Sequence, residues 1–330
     1  MKTQFYSGKG FQRTNGASDL PIPRSRDLVR PEKYFADDGL RDAANVALML
    51  GQPLLLTGEA GTGKTQFAYS LAWELDLGTP LKFETKSTST ARDLFYTYDA
   101  LKRFQDVQSG LKSKSILPYF TYQALGRAIL NTRKTVENKG LVSADFKQLR
   151  RPSRSVVLID EIDKAPRDFP NDILNEIEHM YFRIPEIGNT KVEADPNFPP
   201  IVIITSNSEK DLPDAFLRRC VYYNIPFPDK KRMETIVLNR LEERVKGKDT
   251  FVDNALEIFF ALREEGGLRK NPSTAEMIGW MKVLRDMAPD VENPLVEDDL
   301  ALQTLSNLIK TTADQDKARD IVQKWLTKEK

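Results

Sequence analysis

The chain has 330 residues, of which 40% are hydrophobic and 29% are charged, an ordinary balance for a globular protein. Its 49 basic and 48 acidic residues give a net charge of +1, so no overall field draws it to nucleic acid or to anionic lipid. One cysteine and one histidine exclude an internal disulfide and a zinc site built on several such ligands.

The N-terminal residues 1–34 are predicted to form a polar arm, because glycine, serine and proline are frequent and no apolar core of a signal peptide is present. In the rest of the chain, no apolar run is long enough to span a membrane, so we expect a cytoplasmic protein without membrane contact. A first helix is predicted over residues 37–51, where apolar residues recur at helical spacing before Gly51.

Short apolar runs then alternate with helical stretches. The runs lie at residues 53–57, 80–85, 155–160, 199–207 and 221–227. This alternation predicts an α/β domain with a parallel sheet over residues 35–228, with a hairpin at 181–194. Only helical patterns follow, including one at 300–311 and one opened by Ser273 and Glu276, which are spaced as a capping box. Residues 229–330 are therefore predicted to form a smaller all-helical domain.

The sequence GEAGTGKT lies between the predicted strand at 53–57 and a predicted helix. A phosphate-binding loop lies between a strand and a helix in the same way. Its glycines let backbone N–H groups turn toward phosphate oxygens at the helix N-terminus. The residues assigned to nucleotide binding are Gly58, Glu59, Ala60, Gly61, Thr62, Gly63, Lys64 and Thr65. Lys64 is expected to reach the β- and γ-phosphates, and the Thr65 hydroxyl to ligate Mg²⁺. A purely structural glycine turn is the alternative.

Two further predicted strands end in polar side chains. Asp160 and Glu161 follow the run VVLI, and Asn207 follows IVIITS. The carboxyl ends of parallel strands meet at one edge of a sheet, so these side chains are expected beside the loop. Asp160 would hold Mg²⁺ through water, Glu161 would polarise the attacking water, and Asn207 would bond that water and the γ-phosphate. A solvated acidic pair and an ordinary turn asparagine are the alternatives, and Asp163 is predicted to be a helix cap or a surface residue.

These motifs, in this order, resemble those of the AAA+ ATPases. The Walker A motif is at residues 58–65, the Walker B motif at 156–165, sensor 1 at Asn207 and an arginine-bearing segment at 212–220. The resemblance covers roughly residues 35–230, and it implies a P-loop αβα core followed by a helical lid. Within that family, DEIDKAPRDFPNDILNEIE is similar to the MoxR-like branch, whose additional hairpin we expect within residues 87–106.

The resemblance implies a ring, commonly a hexamer, that binds ATP at its subunit interfaces. An arginine of the neighbouring subunit would stabilise charge on the γ-phosphate; Arg219 is preferred and Arg218 is second, the alternative being a basic pair at a helix end. Tyr34 lies where the family contacts adenine. The predicted lid helix lacks the family's sensor 2 arginine at its start, so that Arg269 or Lys270 would have to substitute.

The favoured function is ATP hydrolysis of MoxR-like type, used to remodel or mature a partner protein, often one with a von Willebrand factor A domain. Two alternatives stay open. A nucleic-acid motor or restriction subunit is suggested by the basic residues at 147–154, although the balanced charge argues against a nucleic-acid partner. The other is a nucleotide-gated scaffold with little turnover. GTP in place of ATP is also open.

Overall fold

The computed structural model describes residues 30–110, 115–147, 149, 151–208, 212–241, 250–265, 267–297 and 299–329. The chain is divided into two compact units. The first comprises Tyr34–Glu59 and Gly63–Pro226, and the second is built mainly on Phe227–Lys330. Most of the predicted N-terminal arm, up to residue 29, lies outside the described residues.

The first unit is organised around a parallel sheet. Its strands are β1 (Leu54–Thr57), β2 (Leu81–Glu84), β5 (Val156–Asp160), β8 (Ile201–Thr205) and β9 (Val221–Asn224). They lie in the order β2-β5-β8-β1-β9, and every neighbouring pair is parallel. The carboxyl ends of β5 and β8 therefore lie side by side at the edge of the sheet where the loop after β1 begins.

Both faces of this sheet are covered, which explains why its central strands read as unbroken apolar runs. Side chains alternate between the two faces of a strand. Thus Leu54 and Leu56 of β1 pack in one core with Leu158, whereas Leu55 packs in a second core with Val157. The two cores fix the register of the strands, because a shift by one residue would exchange their side chains.

Helices flank the sheet. They are α1 (Asp38–Leu50), α2 (Lys64–Glu74), α3 (Ala100–Gln108), α4 (Ala124–Asn131), α5 (Phe169–Asp172), α6 (Leu174–His179) and α7 (Asp214–Leu217). Helix α1 has the predicted bounds because both of its ends are capped. The Asp37 side chain accepts a hydrogen bond from the backbone N–H of Leu40 at 2.8 Å, and Gly51 ends the helix at a φ of 64°.

Two hairpins extend the first unit. The hairpin predicted at 181–194 is formed by β6 (Tyr181–Ile184) and β7 (Thr190–Glu193). The hairpin expected within 87–106 begins in that range and ends beyond it. Its first strand, β3 (Tyr96–Tyr98), pairs with β4 (Phe120–Tyr122), and helix α3 lies between the two strands in the chain. The expectation of a hairpin contained within 87–106 was therefore wrong, because the second strand begins only at Phe120.

The second unit is helical. Its helices are α8 (Lys230–Leu241), α9 (Thr250–Glu264), α10 (Thr274–Met287), α11 (Leu300–Gln303) and α12 (Thr312–Glu329). Ser273 and Glu276 form the predicted capping box at the start of α10. The helix predicted over 300–311 is interrupted at Thr304, whose hydroxyl donates to the carbonyl of Leu300 and accepts from the Trp280 indole. Such back-bonding by threonine competes with the regular helix.

The predicted fold class is confirmed: an α/β core with a parallel sheet is followed by an all-helical region. Across the described ranges, no helix is both long and apolar enough to cross a membrane.

Candidate nucleotide-binding site

The loop between β1 and α2 is shaped by glycines. Gly58, Gly61 and Gly63 have φ angles of 133°, 82° and 94°, a region that residues with a Cβ adopt only at a cost. A Cβ at Gly63 would also lie 3.0 Å from Cε2 of Tyr34. Gly63 is the N-cap of α2, so the loop leads directly into the positive end of a helix, where anions bind favourably. The other loop residues are exposed or half-buried: Glu59, Ala60 and Thr62.

Lys64 is buried at the base of this loop, with only 7% of its surface exposed. Its Nζ donates hydrogen bonds to the carbonyls of Gly58 at 2.7 Å and Glu59 at 2.9 Å. Burial of the ammonium lowers the pKa of Lys64, against the opposing attraction of nearby carboxylates, of which Asp163 has the largest effect. The ammonium is thus held by neutral carbonyls, which the anionic oxygens of a phosphate group can replace with added Coulomb attraction.

Asp160 is the centre of a buried hydrogen-bonding cluster at the end of β5. Its Oδ1 accepts from the hydroxyls of Thr65 at 2.9 Å and Thr205 at 2.7 Å. Its Oδ2 lies 3.0 Å from Nζ of Lys82. Burial alone would raise the pKa of the Asp160 carboxyl, but hydrogen bonds from Thr205, Lys82 and Thr65 outweigh burial and hold the pKa below its ordinary value. The carboxylate is therefore charged at neutral pH.

Thr65 and Asp160, the two residues predicted to serve Mg²⁺, are brought into direct contact. Hydroxyl and carboxylate oxygens are the hard donors that this ion prefers. The described part of the chain contains no group of three or more histidine, cysteine, aspartate or glutamate residues that could hold a metal ion. Thr65 and Asp160 offer two protein oxygens, which fits an ion that takes its remaining ligands from water and substrate phosphates.

Glu161 follows in a left-handed backbone conformation, with φ of 58° and ψ of 53°. Its backbone N–H donates to Oγ1 of Thr205 at 2.9 Å. Its side chain, 43% exposed, pairs with the ammonium of Lys164 three residues later. The carboxylate is thus accessible to solvent while its backbone is anchored to the neighbouring strand.

Asn207 lies two residues beyond β8 and is exposed. Its backbone N–H donates to Oδ1 of Asp163 at 3.1 Å. Asp163 was predicted to be a helix cap or a surface residue, and the structure places it in the turn after Glu161, where it ties this turn to the segment after β8. The ends of β5 and β8 are therefore joined on their carboxyl side.

Arg218 and Arg219 lie between α7 and β9, and both are exposed. Nε of Arg219 donates to Oε2 of Glu178 at 2.9 Å, and its Nη1 donates to the carbonyl of Ala215 at 3.1 Å. These two partners belong to α6 and α7. The guanidinium is held on the protein surface in a fixed orientation.

Tyr34 packs edge-to-face on Phe67 of α2, with ring centroids 6.1 Å apart. It therefore adjoins the first turn of the helix that follows the loop. Arg269 and Lys270, the substitutes considered for a sensor 2 arginine, donate their backbone N–H groups to the Asp314 carboxylate within the helical unit, at 2.9 Å and 3.3 Å.

Three residues of the site were missed by sequence reasoning: Lys82, Lys164 and Thr205. Lys82 reaches Asp160 because its strand, β2, pairs with β5, and the register places Glu84 of β2 opposite Asp160. That pairing cannot be read from the sequence of either strand. Thr205 could have been suspected from its position at the end of an apolar strand, but threonine is common in strands for other reasons.

Comparisons with known proteins give one family match. Residues 54–227 match the model of the ATPase family associated with various cellular activities, AAA. No curated protein matches the chain significantly. Similar solved structures include a mutant of RuvB from Thermotoga maritima, which is 18% identical, with a TM-score of 0.49 over 87% of this chain and 74% of that chain. The AAA domain of FIGL-1 in complex with ADP is 16% identical, with a TM-score of 0.41 over 88% of each chain.

Proposed function

Because this chain belongs to the AAA family of ATPases and is an ATP hydrolase, we propose that residues 58–65 bind the phosphates of Mg²⁺-ATP and that Glu161 activates the attacking water. The observation that carries this proposal is the 2.9 Å hydrogen bond between Thr65 and Asp160. It joins the start of α2 to the end of β5, so the hydroxyl and carboxylate suited to Mg²⁺ adjoin the phosphate loop.

Binding requires the buried ammonium of Lys64 to exchange two carbonyl partners for phosphate oxygens. This exchange is favourable because phosphate oxygens carry negative charge, so the ammonium gains a Coulomb attraction that neutral carbonyl acceptors do not provide. Thr65 would ligate the metal ion directly and Asp160 would hold it through water. When bound, Mg²⁺ neutralises charge that develops on the β- and γ-phosphate oxygens.

Hydrolysis then depends on the water that attacks the γ-phosphate. Glu161 supplies a carboxylate that orients this water and accepts its proton, for which the pairing with Lys164 must loosen. Asn207 follows the adjacent strand, and its amide is proposed to hydrogen-bond the same water and a γ-phosphate oxygen. Tyr34, which adjoins α2, is proposed to contact the adenine ring.

The proposed working form is a ring, commonly a hexamer, in which Arg219 of one subunit reaches the nucleotide of its neighbour. Arg219 is exposed, as a group acting between subunits must be. Its hydrogen bonds to Glu178 and Ala215 orient the guanidinium in advance, so less side-chain entropy is lost on reaching a phosphate. Arg218, also exposed, is the second candidate.

The energy of hydrolysis is proposed to remodel or mature a protein client in the cytoplasm, as in the MoxR-like branch of the family. The supporting features are the sequence DEIDKAP at 160–166 and the β3–β4 hairpin after β2. The partner proposed from this resemblance is a protein with a von Willebrand factor A domain. A nucleic-acid client is not proposed, because the net charge is only +1.

The test is the steady-state rate of ATP hydrolysis per subunit over a wide range of protein concentration, with the mass of the assembly measured in parallel. We expect the rate to rise as rings form and to disappear in Glu161→Gln. A rate that stays the same while monomers assemble into rings would contradict active sites shared between subunits. An active Glu161→Gln variant would contradict the role of Glu161.

A further inference from the structure

Thr205 closes β8 directly beside the end of β5, and only 1% of its surface is exposed. Its hydroxyl donates to Oδ1 of Asp160 at 2.7 Å and accepts the backbone N–H of Glu161 at 2.9 Å. A hydroxyl carries one proton and two lone pairs, so both hydrogen bonds can form together. One buried oxygen atom therefore contacts both acidic residues of the Walker B motif.

The backbone of Glu161 shows why this hydroxyl matters. The left-handed conformation is unfavourable for a residue with a Cβ and persists only where the surroundings hold it. Regular pairing of β5 with β8 extends to Ile159 opposite Ile204. Beyond that pair, the backbone N–H of Glu161 donates to the side-chain oxygen of Thr205. The backbone carbonyl of Glu161 accepts a hydrogen bond from the N–H of Lys164 at 2.9 Å. The Thr205 hydroxyl thus anchors the first half of this turn.

We propose that Thr205 is a positioning residue for ATP hydrolysis, whose hydroxyl fixes the turn at Glu161 and the orientation of the Asp160 carboxylate together. This inference rests on the roles proposed above for those two acidic residues. Without the hydroxyl, the Glu161 turn loses an anchor and Asp160 loses one of two donors to Oδ1. The attacking water is then aligned less often, although the phosphate loop itself is unchanged.

A role in packing alone predicts something different. Valine has nearly the shape of threonine but lacks the hydroxyl, whereas serine keeps the hydroxyl and lacks the methyl group. If packing decided the effect, Thr205→Val would be the milder change. If the hydroxyl positions the acidic residues, Thr205→Ser is the milder one.

The test measures kcat for ATP hydrolysis and the affinity for a fluorescent ADP analogue. We expect Thr205→Val to lower kcat by about tenfold to a hundredfold, the range that follows from misplacing a reacting group by about 1 Å. ADP affinity should change little, and Thr205→Ser should recover most of the rate. Thr304→Val is the matched control, since Thr304 is a buried threonine of the helical unit whose hydroxyl accepts from the Trp280 indole. It should lower thermal stability and leave kcat unchanged.

A Thr205→Val variant with the kcat of the unaltered protein overturns the proposal, and so does a Thr205→Ser variant that loses as much as Thr205→Val. If Thr205→Val does not fold, Thr205→Ser and Thr205→Ala give the same comparison, because they differ only in the hydroxyl. If none of these three variants folds, the proposal is also overturned, because the Thr205 side chain would then be needed for packing. An active Glu161→Gln variant refutes the proposed function instead. An inactive Glu161→Gln variant together with a fully active Thr205→Val variant refutes only the role of Thr205.

Discussion

Thr65 and Asp160, 95 residues apart in the chain, are joined by a hydrogen bond of 2.9 Å from the threonine hydroxyl to Oδ1 of the carboxylate. The bond links the first turn of α2 to the end of β5. Because Lys82 and Thr205 hold the same carboxylate, its orientation is fixed without the proposed Mg²⁺. A site organised in this way avoids much of the cost of ordering its ligands on binding.

Removal of the Lys64 ammonium should weaken nucleotide binding. Lys64→Met keeps the aliphatic stem, and we expect the affinity for ADP to fall by about tenfold or more, since a hydrogen bond to a charged group is worth about 1.5–3 kcal/mol. Titration with a fluorescent ADP analogue measures the change. Lys324→Met, which alters an exposed lysine of α12, is the control and should bind ADP normally. Equal affinity in both variants would refute the assignment of Lys64 to phosphate binding.

Gly63 is expected to be more sensitive to substitution than Gly51, although both have positive φ, of 94° and 64°. A Cβ at Gly51 meets nothing within 4 Å, whereas a Cβ at Gly63 would crowd Tyr34. Alanine at either position should lower the free energy of unfolding by about 1–2 kcal/mol through the left-handed backbone. Only Gly63→Ala should also weaken ADP binding. Urea unfolding and ADP titration provide the two measurements, and unchanged ADP binding in Gly63→Ala would count against a phosphate loop.

The Asp160 carboxylate should make stability depend on acid pH. The pKa of Asp160 in the folded protein lies below its ordinary value of 3.8, so its contribution to stability is present above pH 3.8 and is lost as the pH falls through the folded pKa. We expect the free energy of unfolding to fall more steeply with acidification in the unaltered protein than in Asp160→Asn. Urea unfolding at a series of pH values gives both curves. A free energy of unfolding that falls less steeply in the unaltered protein than in Asp160→Asn would show the opposite shift.

The sequence was sufficient to predict the sheet and much of the candidate site. The strands around Leu55 and Leu158 are buried on both faces, so they read as short apolar runs, and their length and their alternation with helical stretches distinguish them from helices. The polar residues that follow them lie near one edge, an arrangement that parallel pairing alone leads one to expect. The hydrogen bond between Thr65 and Asp160 is the direct outcome of that arrangement.

What sequence reasoning missed depends on contacts between distant segments. Lys82 reaches Asp160 only because β2 lies next to β5 in the sheet. The interruption of the predicted helix at Thr304 depends on the indole of Trp280, 24 residues away. The strand β4 has only three residues, too few for an alternating pattern to distinguish it from a loop.

The proposed completion of each active site between two subunits can be tested by mixing two inactive variants. Glu161→Gln keeps Arg219, and Arg219→Ala keeps Glu161. In rings assembled from an equal mixture, about a quarter of the interfaces pair an intact Glu161 with an intact Arg219 by random assortment. Arg319→Ala, at an exposed position of α12, is the control for loss of an arginine and should be active alone.

We predict that each of the two variants hydrolyses ATP at a negligible rate by itself and that the mixture regains a substantial fraction of the activity. A mixture that forms rings but stays as inactive as its components would contradict the account, because glutamate and arginine would then have to act within one subunit. An Arg219→Ala variant that is active alone would contradict it as well.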